Sequence, residues 1–159
     1  EIFRRRHPDS TIELALLGMP RQAHQQIRDT AERLGIAQHV HQPGRIAQED
    51  LPALYSGAEG FVFPSRFEGF GMPVLEAMAC GTPVASSNAT ALPEVYGDAA
   101  LEFPPEDVDA MADALEQLVY DQQLREDLIR RGYRRVRRFS WEQTASQILQ
   151  ILRSAARSQ

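Results

Sequence analysis

Short apolar runs with a period of two alternate along this chain with longer stretches of helical period. Residues 11–17 (TIELALL) read as a strand and run into a turn at Gly18, Met19 and Pro20. Residues 21–34 follow as an amphipathic helix, with Ile27, Ala31 and Leu34 on one face and Gly35 as its cap. Residues 38–42 form a short alternating strand closed by Pro43 and Gly44. Residues 48–56 form a short helix with Leu51, Leu54 and Tyr55 turned inward. Residues 60–63 are apolar throughout, as a strand buried on both faces requires. Residues 73–80 are helical, with Pro73 suited to the first helical position. Residues 83–86 and 99–103 are two further strands. From Asp107 onward the pattern is helical. One helix reaches about Tyr120 and a second about Arg137, and Ser140 with Gln143 opens a third as a capping box.

Strands alternating with helices predict an α/β fold, a doubly wound Rossmann-like parallel sheet with right-handed crossovers. No linker rich in Pro, Gly or Ser divides the chain, so residues 1–159 read as a single domain whose part 107–159 is helical. Ligands of such folds bind beyond the carboxyl ends of the strands. That directs attention to the loops after Leu17, Gln42, Phe63 and Ser86.

The loop after Phe63 carries the chemistry. Its sequence, PSRFEGFGMPVLE, leaves a buried strand, passes Gly69 and Gly71, and enters a helix at Pro73. The first amides of a helix lack internal partners and carry the positive end of its dipole, so they favour an anion. The glycines allow close approach and positive φ. Together they suit a diphosphate. Glu68 lies in the loop beside that anion, and Glu76 lies one turn inside the helix. An ionised carboxylate accepts hydrogen bonds from hydroxyl groups, so each could hold a sugar. A sugar nucleotide, with sugar, diphosphate, ribose and base in line, has that shape.

The segment resembles the retaining GT-B-fold glycosyltransferases of family four, the glycosyl transferases group 1, in the context PSxxEGFGxPxxEAMAxGxPV. Glu68, Gly69, Phe70, Gly71, Pro73, Glu76, Ala77, Met78, Gly81, Pro83 and Val84 match. The similarity extends to Leu16-Leu17-Gly18, to residues 40–44, to Leu92-Pro93-Glu94-Val95 and to Phe139-Ser140-Trp141, so it spans nearly the whole chain. The resemblance implies a C-terminal sugar-nucleotide-binding domain. Glu68, the candidate catalytic residue, would contact the hydroxyls of the transferred sugar, and Glu76 the ribose. Backbone groups of Phe70, Gly71 and Met72, beside Gly69, would meet phosphates or sugar. Gly44 and Arg45 would lie near the base. It also implies a UDP- or GDP-sugar donor, retention of configuration, and no cofactor or metal ion.

Against the family pattern, an N-terminal acceptor domain is missing, as are the first strand of the donor domain and the loop that carries an Arg and a Lys on the diphosphate. The isolated chain is therefore expected to bind donor weakly and transfer nothing. Each lost charge-assisted hydrogen bond weakens the phosphate grip by about 1.5–3 kcal/mol. The missing strand would sit between the strands at Thr11 and Gly60, and residues 1–10 look like the tail of its helix. Closure of that gap would give about five strands in the order 2-1-3-4-5, the flavodoxin-like arrangement. Two rival readings are a sugar-nucleotide epimerase, for which the named loops lack a histidine, and a non-catalytic truncated or split module acting by association.

Composition narrows the partners. At 43% hydrophobic and 25% charged, the chain is globular rather than disordered. No apolar run approaches the roughly 20 residues that span a bilayer. The single cysteine, Cys80, excludes an internal disulfide and makes a reducing cytoplasm the expected compartment. A net charge of -5 argues against nucleic acid. Every cationic side chain is Arg, which excludes a lysine nucleophile. The run RRGYRRVRR at residues 130–138 suits a solvated helix end, with peripheral contact at an anionic membrane as the alternative. His39 and His41 share a strand face, but a third metal ligand is not visible nearby. Trp141, Ile148, Leu149, Ile151 and Leu152 form an apolar stripe, a candidate homo-oligomer contact.

Overall fold

The computed structural model describes residues 1–18 and 20–157, so the middle residue of the turn predicted at Gly18, Met19 and Pro20 lies outside the described residues. In chain order the elements are α1 (Ile2–Arg6), β1 (Leu14–Ala15), α2 (Arg21–Arg33), a single 3-10 turn at Ala37–His39, β2 (Val40–His41), α3 (Leu51–Gly57) and β3 (Phe61–Phe63). Then come α4 (Met72–Ala79), β4 (Val84–Ser87), α5 (Leu92–Tyr96), β5 (Ala100–Phe103), α6 (Val108–Tyr120), α7 (Gln122–Val136) and α8 (Trp141–Arg157).

All strand pairs are parallel, which bears out the α/β class. β4 is the central strand of a three-stranded sheet ordered β3-β4-β5, and all four of its residues are buried. Alternate β4 side chains serve opposite faces. Val84 packs with Tyr55, Leu75, Met78, Leu92 and Tyr96, whereas Ala85 packs with Phe103, Ala114, Leu118 and Leu128. The sheet is thus wrapped on both sides, and α6, α7 and α8 begin where the sequence supplies a cap. Asp107 accepts from the Ala110 amide at 2.9 Å and Asp121 from the Leu124 amide at 2.9 Å. Ser140 Oγ accepts from the Gln143 amide at 3.3 Å, as the capping pattern predicted.

The gap does not close. β1 pairs with β2, Leu14 opposite Val40 and Ala15 opposite His41, as a sheet of its own, and β3 pairs with β4 alone. The single sheet in the order 2-1-3-4-5 is therefore corrected to 2-1 and 3-4-5, and among the described residues no strand pairs across the interval between them. The physical reason lies in α1. Its Phe3 stacks on Tyr120 at 6.1 Å, its Arg6 pairs with Glu116 at 3.4 Å, and Arg4 donates to the carbonyls of Ser10 and Ile12. These contacts fasten the approach to β1 onto α6, so β1 cannot slide toward β3. The interval explains two further differences. The strand expected over residues 11–17 shrinks to two residues, with one added rung from the Leu16 amide to the His41 carbonyl at 2.9 Å. Phe61, Val62 and Phe63, expected to be fully buried, are half-buried, and among the described residues one edge of β3 has no strand neighbour. Leu34 and Leu54, expected on inward faces, are exposed.

The arginine run is also more than a solvated helix end. Arg131 donates to the Asp98 carbonyl at 3.1 Å, and Arg135 donates to the Val95 carbonyl at 2.7 Å and to the Glu94 carbonyl. The same Arg135 lies 5.2 Å from the centre of the Phe139 ring. α7 is thereby fastened to α5.

Candidate functional site

α4 starts where it does because Gly71 supplies a backbone that other residues resist. Its φ is 98°, and a Cβ there would stand 2.5 Å from Leu92 Cδ2. Pro73 in the first turn has no amide to leave unpaired. The amides of Gly69, Phe70, Gly71 and Met72 donate to no protein acceptor among the described residues. Gly69, Phe70 and Met72 are exposed. The turn therefore presents the unpaired donors of exposed Gly69, Phe70 and Met72, with Gly71 buried beside Leu92, at the positive end of the helix dipole. Its other end closes with Gly81 at φ 76°, the Thr82 amide donating to the Ala77 carbonyl at 3.0 Å and the Gly81 amide to Met78 at 3.2 Å.

Glu68 is held from two directions. Ser65 Oγ donates to its carboxylate at 3.0 Å, and Thr90 engages its backbone. Ser87 at the end of β4 in turn donates to the Ser65 carbonyl, which joins the loops after β3 and β4. Glu76, half-buried in α4, accepts from Tyr55 Oη at 3.3 Å. Burial, reinforced by the neighbouring Glu76 carboxylate, pushes the Tyr55 phenol up to about 12, so it stays a neutral donor. Tyr55 is itself fixed through its carbonyl, which accepts from Thr82 Oγ1 at 2.6 Å.

The structure thus brings Glu68, Gly69, Phe70, Gly71, Met72 and Glu76 onto one continuous turn and helix. Gly44, at φ 80°, and exposed Arg45 follow β2 in the other sheet. Among the described residues, no hydrogen bond or ion pair joins Arg45 to the glycine turn. Phe70 is braced from behind by Phe139, edge to face at 5.6 Å. Arg66, beside the site, is engaged with Glu106 at 2.8 Å. The sequence does not mark Tyr55 or Ser87 as site residues. Tyr55 carried the signal of an inward-facing helix position, and Ser87 carried none. His41 pairs with Glu13, and no cluster of three metal-ligating side chains occurs among the described residues.

The sequence profile described as "Glycosyl transferases group 1" matches residues 3–135. The O-antigen chain mannosyltransferase B of Escherichia coli is 49% identical over 106 residues, covering 67% of this chain and 28% of that protein. A D-inositol 3-phosphate glycosyltransferase of Paenarthrobacter aurescens is 36% identical over 161 residues, covering 97% and 38%. Among solved structures, the sucrose-phosphate synthase of Thermosynechococcus elongatus superposes with a TM-score of 0.82 at 31% identity, over 92% of this chain and 39% of that one. The chain spans less than two fifths of the length of these relatives. By profile, sequence and fold together, it belongs to the glycosyl transferases group 1 family and has the Rossmann-like architecture of a GT-B C-terminal domain.

Proposed function

We propose that this chain binds the nucleoside-diphosphate sugar donor of a retaining glycosyl transfer, at the glycine turn that leads into α4. The observation that carries the reading is the set of unpaired amides at residues 69–72, at a helix N-terminus and between two anchored carboxylates. The phosphates lie against those amides. Glu68 accepts from hydroxyls of the transferred sugar and is the candidate catalytic residue, while Glu76 accepts from the ribose. Gly44 and Arg45 approach the base. Relatives named as mannosyltransferase and inositol-phosphate glycosyltransferase support a hexosyl donor. Binding needs no metal ion, because the dipole and amides meet the phosphate charge.

Calorimetry tests this directly. UDP or GDP should bind weakly, EDTA should leave the affinity unchanged, and Glu76→Ala should weaken it about tenfold, on the scale of a hydrogen bond to a charged group. Absence of binding by both nucleotides would overturn the reading. The purified chain alone should transfer no sugar, since it covers less than two fifths of the relatives' length. Mixing it with a separately produced N-terminal half should restore transfer if it is a split enzyme. Self-association through α8, whose Trp141 is 76% exposed, should appear as a concentration-dependent blue shift of tryptophan emission.

A further inference from the structure

We infer that Thr90 is a positioning residue for Glu68, holding the backbone of the candidate sugar-binding carboxylate from the neighbouring loop; the inference rests on the donor-binding reading above. Two hydrogen bonds carry it. The Glu68 amide donates to Thr90 Oγ1 at 3.0 Å, and Thr90 Oγ1 donates to the Glu68 carbonyl at 2.9 Å. One hydroxyl, with one proton and two lone pairs, thus satisfies both polar groups of a single peptide position. A strand neighbour would do the same for a ladder residue, but here no strand is present. With amide and carbonyl both engaged, the Glu68 peptide units cannot rotate without losing a bond.

Thr90 reaches this position in a conformation that costs it something. Its φ is 50°, and it is the one non-glycine residue at positive φ among the described residues. A β-branched residue is strained there, and such strain persists where surrounding contacts over-determine the geometry. The loop that carries it is fastened on both sides. The Asn88 amide donates to the Phe103 carbonyl at 2.9 Å, and the Leu92 amide donates to the Ala89 carbonyl at 3.2 Å. Leu92 is fully buried and lies against Gly71. Thr90 therefore transmits the rigidity of the packed sheet to the loop carrying Glu68. Ser65 holds the carboxylate itself at 3.0 Å, so side chain and backbone of Glu68 are fixed by separate hydroxyls. Arrangement of a ligand group by locked supporting bonds is what keeps a site within the tolerance that recognition needs.

The experiment compares the affinity of the chain for GDP with that for GDP-mannose, and for UDP with that for UDP-glucose, by calorimetry. The preference for the sugar-bearing form isolates what Glu68 contributes. Thr90→Val should lower that preference about tenfold, the scale of one or two hydrogen bonds, and leave nucleoside-diphosphate affinity within about twofold. Thr90→Ser, which keeps the hydroxyl, should retain the preference. Thr90→Gly, which relieves the backbone and removes the hydroxyl, should behave as Val does. Amide exchange at Glu68 should quicken in the Val and Gly variants and not in the Ser variant, a readout that needs no ligand. If Glu68→Gln abolishes the preference while Thr90→Val preserves it, the inference falls and the donor reading stands. If the unaltered chain binds neither nucleotide nor sugar nucleotide, the donor reading falls and takes the inference with it.

Discussion

The part of the molecule built on β3, β4 and β5 and the part built on β1 and β2 share one strand–helix grammar, yet only the first has a core. Around β4, Val74, Ala77, Met78, Val84, Leu92 and Leu118 are at most 1% exposed. In the β1–β2 part, Leu14 is 47% exposed, Ala31 is the buried residue of α2, and His39 Nδ1 and Gln42 Oε1 are buried without partners. The difference is one of neighbours. β4 has a strand on each side and helices on both faces, whereas among the described residues β1 and β2 pair only with each other. It follows that the two ends of the proposed donor site differ in preparation. Glu68, the glycine turn and Glu76 hang from the packed sheet, and Gly44 with Arg45 hangs from the loose one.

Core truncation should break the comparison most visibly. Leu118→Ala removes a fully buried side chain and should cost about 2–5 kcal/mol of stability in a denaturant titration. Leu14→Ala should cost less than about 1 kcal/mol, because so much of that side chain already meets water. Equal costs would mean that the β1–β2 part has a core of its own.

Two of the site's glycines, Gly71 and Gly44, give a matched pair with the next largest effect. Gly71→Ala combines positive φ with a collision against buried Leu92, and should cost about 2–4 kcal/mol from backbone strain and overpacking together. Gly44→Ala has similar φ and nothing within 4 Å of the new Cβ, so it should cost about 1–2 kcal/mol from strain alone. Chemical denaturation reads both. The packed half is then the one in which a methyl group finds no room.

How much of this was legible in the sequence follows the same division. β4, β5, α4, α6 and α7 lie close to where periodicity and capping residues put them, because inward positions such as Met78, Ala85, Phe103, Leu118 and Leu128 are buried as the pattern implies. That Glu68, Gly71 and Glu76 share one turn and helix is legible because the motif has fixed spacing. β1 is shorter than its periodicity predicts, since TIELALL has strand alternation but too few partners to form a longer ladder. That the gap stays open is not legible, because α1's anchorage on α6 depends on Phe3 meeting Tyr120, a contact between residues 117 positions apart. Thr90 was invisible for a different reason. A threonine in a polar loop has no periodicity, and its left-handed backbone appears only when the loops after β3 and β4 are seen together.

The smallest expected effect concerns alkaline pH, and it probes the packed half at Glu76. Tyr55 is raised from 10.0 to about 12, first by burial and then by the Glu76 carboxylate. Below pH 10 the phenol is neutral in folded and unfolded chains alike, and its stabilising contribution is fully present. Between pH 10 and about 12 the unfolded chain releases this proton and the folded chain keeps it, so rising pH favours unfolding. Stability should therefore decline across that window and not at neutral pH. Tyr96, raised in the same direction by burial and by its bond to Glu102, contributes to the same decline. Tyr55→Phe should make the fall shallower without removing it, and Tyr55→Phe with Tyr96→Phe should flatten it further, as read from denaturation midpoints between pH 8 and pH 12. No change of slope in the double variant would mean that neither phenol is buried as described, and that the half of the site around Glu76 is as open to water as the half around Arg45.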